Sequence, residues 1–259
     1  MKRVVLAYFS PTHTTEKVAK AIARGMGIDE IVDYNLTLGQ DQPLIIEKDD
    51  LIILGGPVYV GRIPKIARER MAQIKGHGQG AVCLAVYGNN KVGDALAELG
   101  DLARQANLVP VAGASFIGEH SYANDQRPIA SGRPDKDDLI LASTFGRQVI
   151  ELIDHQLNDI HGLIGADFPG DIPSQAAPTL PQLASIANSD CRHCHICIEV
   201  CPVGAIDHAL KCDATKCMCC FACVKSCPYG ARELTSPRIE EFSLFLSKLD
   251  RKEPVFYGV

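Results

Sequence analysis

The chain has 259 residues, 46% of them hydrophobic, and 31 acidic against 26 basic side chains give a formal charge of −5. That is enough apolar material to bury a core and enough length for two domains, and the acidic balance disfavours nucleic acid or an anionic membrane as partner. The apolar run after Met1, Lys2 and Arg3 is too short for a signal peptide and none is long enough to span a bilayer, so the expected compartment is the cytoplasm.

Residues 3–9 (RVVLAYF) form a continuous apolar run, as expected of a strand buried on both faces of a parallel sheet. The turn Ser10-Pro11-Thr12-His13-Thr14-Thr15 follows, then residues 16–26 with apolar positions at Val18, Ala19, Ile22, Ala23 and Met26, a helical spacing. A turn at a helix N-terminus presents free N–H groups and the positive end of the helix dipole, which suits a phosphate, and the hydroxyls of Ser10, Thr12, Thr14 and Thr15 add donors. Plain N-capping by one of these residues accounts for the turn equally well, and no Walker pattern is present.

Further strands are expected over 30–36, 50–55, 81–87 and 108–117, and helices over 63–74, 92–106 and 136–159. Strands alternating with helices in this way predict an α/β fold with a doubly wound parallel sheet. Ligands of such sheets gather at the carboxyl ends of the strands near the switch point, where the loops 10–15, 56–62 and 88–91 lie. The segment between residues 117 and 136 is longer than a compact domain tolerates without a function. Its His120 is either a ligand-facing group or an ordinary surface or core histidine. Arg62, Lys65, Arg68 and Arg70 make a basic stripe, read as a solvated helix face or a dock for an acidic partner. Residues 160–189, dotted with Pro169, Pro173, Pro178 and Pro181, read as a linker.

Ten of the eleven cysteines fall between Cys191 and Cys227, in two copies of C-x-x-C-x-x-C-x-x-x-C-P. The copies are offset by 26 residues and also match at Gly204/Gly230 and Ala205/Ala231, implying a pseudo-two-fold. Three thiolates two residues apart can curl round one cubane while the fourth, fixed by its proline, points to the other. On that rule Cys191, Cys194, Cys197 and Cys227 hold one [4Fe–4S] cluster, and Cys217, Cys220, Cys223 and Cys201 hold the second. Neither half closes its own site, which couples folding to metal. Disulfides would need an oxidising compartment, and zinc would not call for the third cysteine and the Cys-Pro of each copy. Where a glycine often follows the second cysteine stand His195 and Phe221, and Cys212 and Cys219 fit neither quartet, reading as small buried thiols or as redox-active extras. Residues 190–236 carry five acidic and five basic side chains, so the surface here is not strongly acidic.

The strand, S-x-T-x-x-T turn and helix, with Gly55-Gly56-Pro57-Val58-Tyr59-Val60-Gly61-Arg62 after the third strand, resemble a short-chain flavodoxin over residues 1–159. The resemblance implies FMN, its phosphate taken by Ser10, Thr12, His13, Thr14 and Thr15. Its ring would be flanked by Pro57, Val58, Tyr59, Gly61 and Arg62 on one side and by Tyr87, Gly88, Asn89 and Asn90 on the other. His13 replaces a glycine common in that family's first loop, and Thr14 an asparagine. Flavodoxin-like residues 1–159, a linker 160–189, a small α+β two-cluster ferredoxin-like domain 190–236, and a C-terminal helix and tail 237–259 together resemble the EFR-type fused flavodoxin–ferredoxin proteins of anaerobes. That implies an electron carrier working between FMN and two [4Fe–4S] clusters, with redox proteins or a small-molecule acceptor as partners and a homodimer allowed. An FMN-dependent oxidoreductase acting on a small molecule, and a redox or iron sensor, are the alternatives. No catalytic carboxylate pair, nucleophile–base set or open metal site is apparent, so enzymatic activity is left open.

Overall fold

A computed structural model describes residues 1–42, 44–159, 162–172 and 182–259. Part of the expected linker, 160–161 and 173–181, lies outside the described residues. The N-terminal part runs β1 (Arg3–Tyr8), α1 (Thr14–Gly25), β2 (Glu30–Asn35), β3 (Asp50–Pro57), α2 (Lys65–Met71), β4 (Gly80–Tyr87), α3 (Ala95–Gln105), β5 (Val109–Ile117) and α4 (Lys136–Asp159). The five strands are parallel in the order 2-1-3-4-5, the flavodoxin-like doubly wound arrangement, with its switch point between β1 and β3. β3 and β4 are buried along their whole length, as their unbroken apolar runs require. Alternate residues of β1 feed opposite faces: Val4, Leu6 and Tyr8 join the core against α1 and α4, while Val5, Ala7 and Phe9 join the one against α2 and α3.

Two helices begin later than their apolar pattern suggests. Pro64, extended at ψ 141, delays α2 to Lys65, and Gly93, left-handed at φ 60, delays α3 to Ala95. Gly93 is also where two ligand loops touch: a Cβ there would lie 2.5 Å from the Gly61 carbonyl oxygen.

The cysteine-rich part runs β6 (Ile186–Ala187), α5 (Ile196–Glu199), α6 (Ala222–Lys225), β7 (Arg232–Glu233), α7 (Pro237–Leu246) and β8 (Val255–Tyr257). β6 and β7 pair antiparallel. Ser236 caps α7, its Oγ accepting the Ile239 N–H, with a proline in the first turn. The expected C-terminal tail is in part a strand: β8 adds antiparallel to β5 as the sixth strand of the N-terminal sheet. Phe256 seats it, stacked on Phe145 at 5.1 Å and edge-on to Phe116 at 5.6 Å. The cysteine-rich part is therefore anchored to the α/β part on both sides in sequence. On the earlier side, the Ala166 N–H donates to the Pro110 carbonyl at 2.7 Å and Phe168 packs in the α2–α3 core.

Candidate functional site

The loops after β1, β3, β4 and β5 open on a cleft of about 370 Å³, a size suited to a cofactor or small ligand. Of the residues expected around a flavin, Thr12, Thr14, Pro57, Val58, Tyr59, Gly61, Tyr87, Gly88 and Asn90 line it. Ser10, His13, Thr15, Arg62 and Asn89 do not, and each has a visible reason.

In the first loop Ser10 acts as a cap, its Oγ accepting the Glu16 N–H at 3.1 Å. His13 takes the left-handed conformation (φ 63) that starts α1, while its exposed ring pairs with Glu16 at 2.8 Å. The loop shape that glycine favours is thus kept without glycine. Thr15 is fully buried and its Oγ1 has no hydrogen-bond partner among the described residues. Buried hydroxyls are rarely left so, and an anion at this helix N-terminus would satisfy it. The residues present fit a phosphate.

Arg62 and Asn89 have partners outside the cleft lining. Arg62 is buried and paired with the buried Glu98, whose second oxygen accepts the Ile63 N–H at 2.8 Å. Arg68 reaches the same carboxylate at 3.1 Å. A buried carboxylate needs its cations close, so Arg62 turns away from the cleft. The basic stripe is largely committed too: Lys65 pairs with Glu69, and Arg70 donates to the carbonyls of Leu36, Thr37 and Pro202. Asn89, left-handed at φ 61, donates to the Asp250 carbonyl at 2.9 Å and accepts the Lys252 N–H at 3.0 Å, tying the C-terminal segment to the fold.

His120 proves to be part of the cleft wall. It packs so closely on Gly88 that a Cβ there would come within 2.2 Å of the imidazole Cδ2. Its Nδ1 accepts the Tyr122 N–H at 3.1 Å, which leaves the ring proton on Nε2. Burial lowers its pKa to about 4, keeping the ring neutral near pH 7.

The same cleft is lined from the cysteine-rich part by Met218 and Cys219, and by Phe242 of α7. Met218 also packs into the α2–α3 core. Around this seam Lys225 donates to Glu119 and to the Ala123 carbonyl, both at 2.8 Å, and Arg70 donates to the Pro202 carbonyl at 2.7 Å. Tyr122 and Phe221 meet ring to ring at 4.8 Å.

The eight repeat cysteines gather in crossed groups. One cavity is lined by Cys191, Cys194, Cys197 and Cys227, the other by Cys201, Cys217, Cys220 and Cys223 together with Cys212. Among the described residues no three His, Cys, Asp or Glu side chains are gathered to hold a lone ion; the thiols ring two cavities instead. The Ala205 N–H donates to Cys201 Sγ at 3.2 Å and the Ala231 N–H to Cys227 Sγ at 3.3 Å. These are matched bonds of the kind that stabilise thiolate charge. His195 (φ 64) and Phe221 (φ 62) both start their short helices left-handed, as the replaced glycines would. Burial pushes the Cys220 thiol up to about 12, so a cationic partner is needed to hold it as thiolate. The donor set and the cavities fit iron–sulfur clusters. Cys219, buried and left-handed at φ 52, stands outside both quartets.

Arg232 escaped the sequence reading, where it counted only toward charge balance. It is 3% exposed, lines the first cavity, and donates to Ser185 Oγ (3.0 Å), Ser185 O (3.1 Å) and Leu210 O (2.8 Å). These acceptors are all neutral. Its following the repeat's Ala231 directly was the available signal.

Residues 184–207 match the family model described as 4Fe-4S binding domain (Fer4). Among solved structures the chain is similar to a flavodoxin from the domain Archaea, at 16% identity over 60% of this chain and 100% of that one, TM-score 0.40. It is similar to flavodoxin 1 from Bacillus cereus at 19% identity, over 58% of this chain and 98% of that one, TM-score 0.41. It is also similar to a flavone reductase at 14% identity, over 66% of this chain and 67% of that one, TM-score 0.42. No curated protein matches the sequence.

Proposed function

We propose that this protein is an electron carrier that binds FMN in the cleft and a [4Fe–4S] cluster in each thiol-lined cavity, and moves electrons between them inside one molecule. One observation carries the reading: Met218 and Cys219, flanked by the cluster thiols Cys217 and Cys220, form part of the same wall as Thr12, Tyr59 and Gly88. Flavin exchanges electrons in pairs or singly and each cubane singly, so the groups supply the chemistry and the chain supplies placement.

Thr12, Thr14 and Thr15 serve the phosphate, with Ser10 and His13 shaping the loop. Pro57, Val58, Tyr59 and Gly61 face Tyr87, Gly88 and Asn90 across the ring. Cys191, Cys194, Cys197 and Cys227 ligate one cluster, and Cys201, Cys217, Cys220 and Cys223 the other. Met218, Cys219 and Phe242 add a wall from the cysteine-rich part and α7 to the cleft, and this close contact between the two parts supports a carrier over a substrate-reducing enzyme. Donor and acceptor are then other redox proteins.

The test is anaerobic purification followed by pulse reduction. About eight irons per chain, from two four-iron clusters, and about one FMN are expected. Flavin reduction after the pulse is expected at a rate independent of protein concentration. Zinc or about two irons per chain, or a rate proportional to concentration, overturns the reading.

A further inference from the structure

The contacts between the two parts are not spread evenly over the two quartets. Arg70 holds the carbonyl of Pro202, next to Cys201; Met218 and Cys219 lie between Cys217 and Cys220; Tyr122 meets Phe221, next to Cys220; and Glu119 holds Lys225, two residues from Cys223. Among the described residues, the side-chain hydrogen bonds, ion pairs and ring contacts that join residues 1–159 to 190–236 fall within two residues of Cys201, Cys220 or Cys223. Burial follows the same division. Cys220 and Cys223 are 8% and 9% exposed and Cys201 and Cys217 are half-buried, whereas Cys191, Cys197 and Cys227 are half-buried and Cys194 is exposed. Arg192, His193 and His208 are exposed around it, and Tyr229 is 50% exposed.

Resting on the carrier reading above, we propose that the two quartets act in a fixed order. Cys201, Cys217, Cys220 and Cys223 form the inner relay against the flavin cleft. Cys191, Cys194, Cys197 and Cys227 form the outer port, where a one-electron carrier protein docks on the face bearing Arg192, His193 and His208. The order follows from access: the contacts with the α/β part gather beside the inner thiols, while a partner can approach the outer quartet at the exposed Cys194. Each passage moves one electron. With a cluster held in each quartet, an electron lost by the donor would enter at the outer one and leave for the cleft from the inner one, and two such passages with protons from solvent would balance the two-electron reduction of a flavin held there. Cys219 then has a role without being a ligand. It is covalently next to Cys220 and, with Met218 next to Cys217, joins the inner thiols to the lining of the cleft. The exposed Arg192 stands beside the exposed Asp190 and Asp207 here, so the contact surface on the partner is one of mixed charge that offers a carboxylate to Arg192.

Two measurements on the intact holoprotein test this. In the first, the paramagnetically shifted β-proton resonances of the cluster cysteines are assigned and a neutral gadolinium chelate is added. Resonances of Cys191, Cys194, Cys197 and Cys227 should broaden first, and those of Cys201, Cys217, Cys220 and Cys223 should persist. In the second, dithionite, whose active species is an anionic one-electron reductant oxidised in the step, reduces the wild type, the double variant Arg192→Glu/His208→Glu, and the distant control Arg24→Glu. Entry of the first electron should slow about threefold or more in the double variant at low ionic strength and recover with salt, with the control unchanged. Equal broadening of both sets, earlier broadening of the inner set, or an unslowed double variant overturns the order. Concentration-dependent flavin reduction in the wild type would instead overturn the carrier reading, so the two failures are told apart.

Discussion

The ring of Tyr122 lies 4.8 Å from that of Phe221 and is tilted 45° to it, and this pair joins the loop after β5 to the turn that follows Cys220. Phe221 stands at φ 62, a left-handed conformation that costs a non-glycine residue about 1–2 kcal/mol. An aromatic pair is worth about 0.5–1.5 kcal/mol beyond the area it buries, so the contact offsets much of that strain. The position is glycine-shaped in its backbone and serves docking through its side chain.

Phe221→Gly should therefore separate the two roles. Backbone strain is relieved but a ring buried against Leu234 and Ile239 is lost, so overall stability should fall by about 2–3 kcal/mol, with iron content unchanged. The concentration-independent reduction of flavin should slow, because the inner quartet is held less firmly at the cleft. Pulse reduction with iron analysis reads both quantities, and an unaltered rate would show that the ring contact plays no part in docking.

Thr15→Val gives a prediction with opposite signs in two states. The Thr15 Oγ1 is buried without a partner among the described residues, so in flavin-free protein its replacement by a methyl should cost nothing and can raise stability by about 1 kcal/mol. If the hydroxyl serves the phosphate, FMN affinity should fall about tenfold, the equivalent of one hydrogen bond of about 1.4 kcal/mol. Flavin fluorescence titration and denaturation of the flavin-free protein provide the two readings. Unchanged affinity would remove Thr15 from the phosphate site.

The course of the fold was legible because its signals are local. Apolar runs mark β1, β3 and β4, helical spacing marks α1 and α4, and the cysteine repeat prescribes the crossed quartets that line the two cavities. What could not be read depends on side-chain direction or on distant partners. Arg62 and Asn89 sit in the right loops, but Glu98 from α3 and the backbone at Asp250 and Lys252 decide where they point. The three residues of β8 are too few to show a strand period, and Phe145 and Phe116 create its seat. Lys225 pairs with a residue 106 positions away, a relation no local pattern carries.

His120 should leave a signature in the dependence of stability on pH. Its folded-state pKa is depressed to about 4 by burial, below the ordinary value of about 6.5. The neutral ring is what the fold accommodates, so the full contribution is present above about pH 6.5 and is lost as pH falls toward 4. Between pH 6.5 and 5 the loss should be about 2 kcal/mol. His120→Gln, which can still accept the Tyr122 N–H, should flatten that part of the profile. Denaturant titrations of both proteins at pH 6.5 and 5 are the check, and parallel profiles would mean that His120 is more open to solvent than the structure shows.

Arg232 bears on the clusters proposed for the two cavities. A buried guanidinium among neutral acceptors carries a desolvation cost of several kcal/mol unless an anion compensates it. The groups placed to do so are the thiol quartets: Arg232 lines the first cavity, and it shares Ser185 Oγ with Cys223 of the second, 3.5 Å from that thiol. Reduction adds negative charge to a cluster, so a fixed positive charge nearby favours the reduced form. Arg232→Met should lower the reduction potentials of both clusters, and Arg232→Lys should keep part of the effect while losing hydrogen bonds to Ser185 and Leu210. A potentiometric titration followed by paramagnetic resonance distinguishes electrostatic tuning from simple structural damage, since damage would reduce cluster content without a directed shift. A potential that rises or stays fixed in Arg232→Met at full iron content would show that the charge is compensated by some other group.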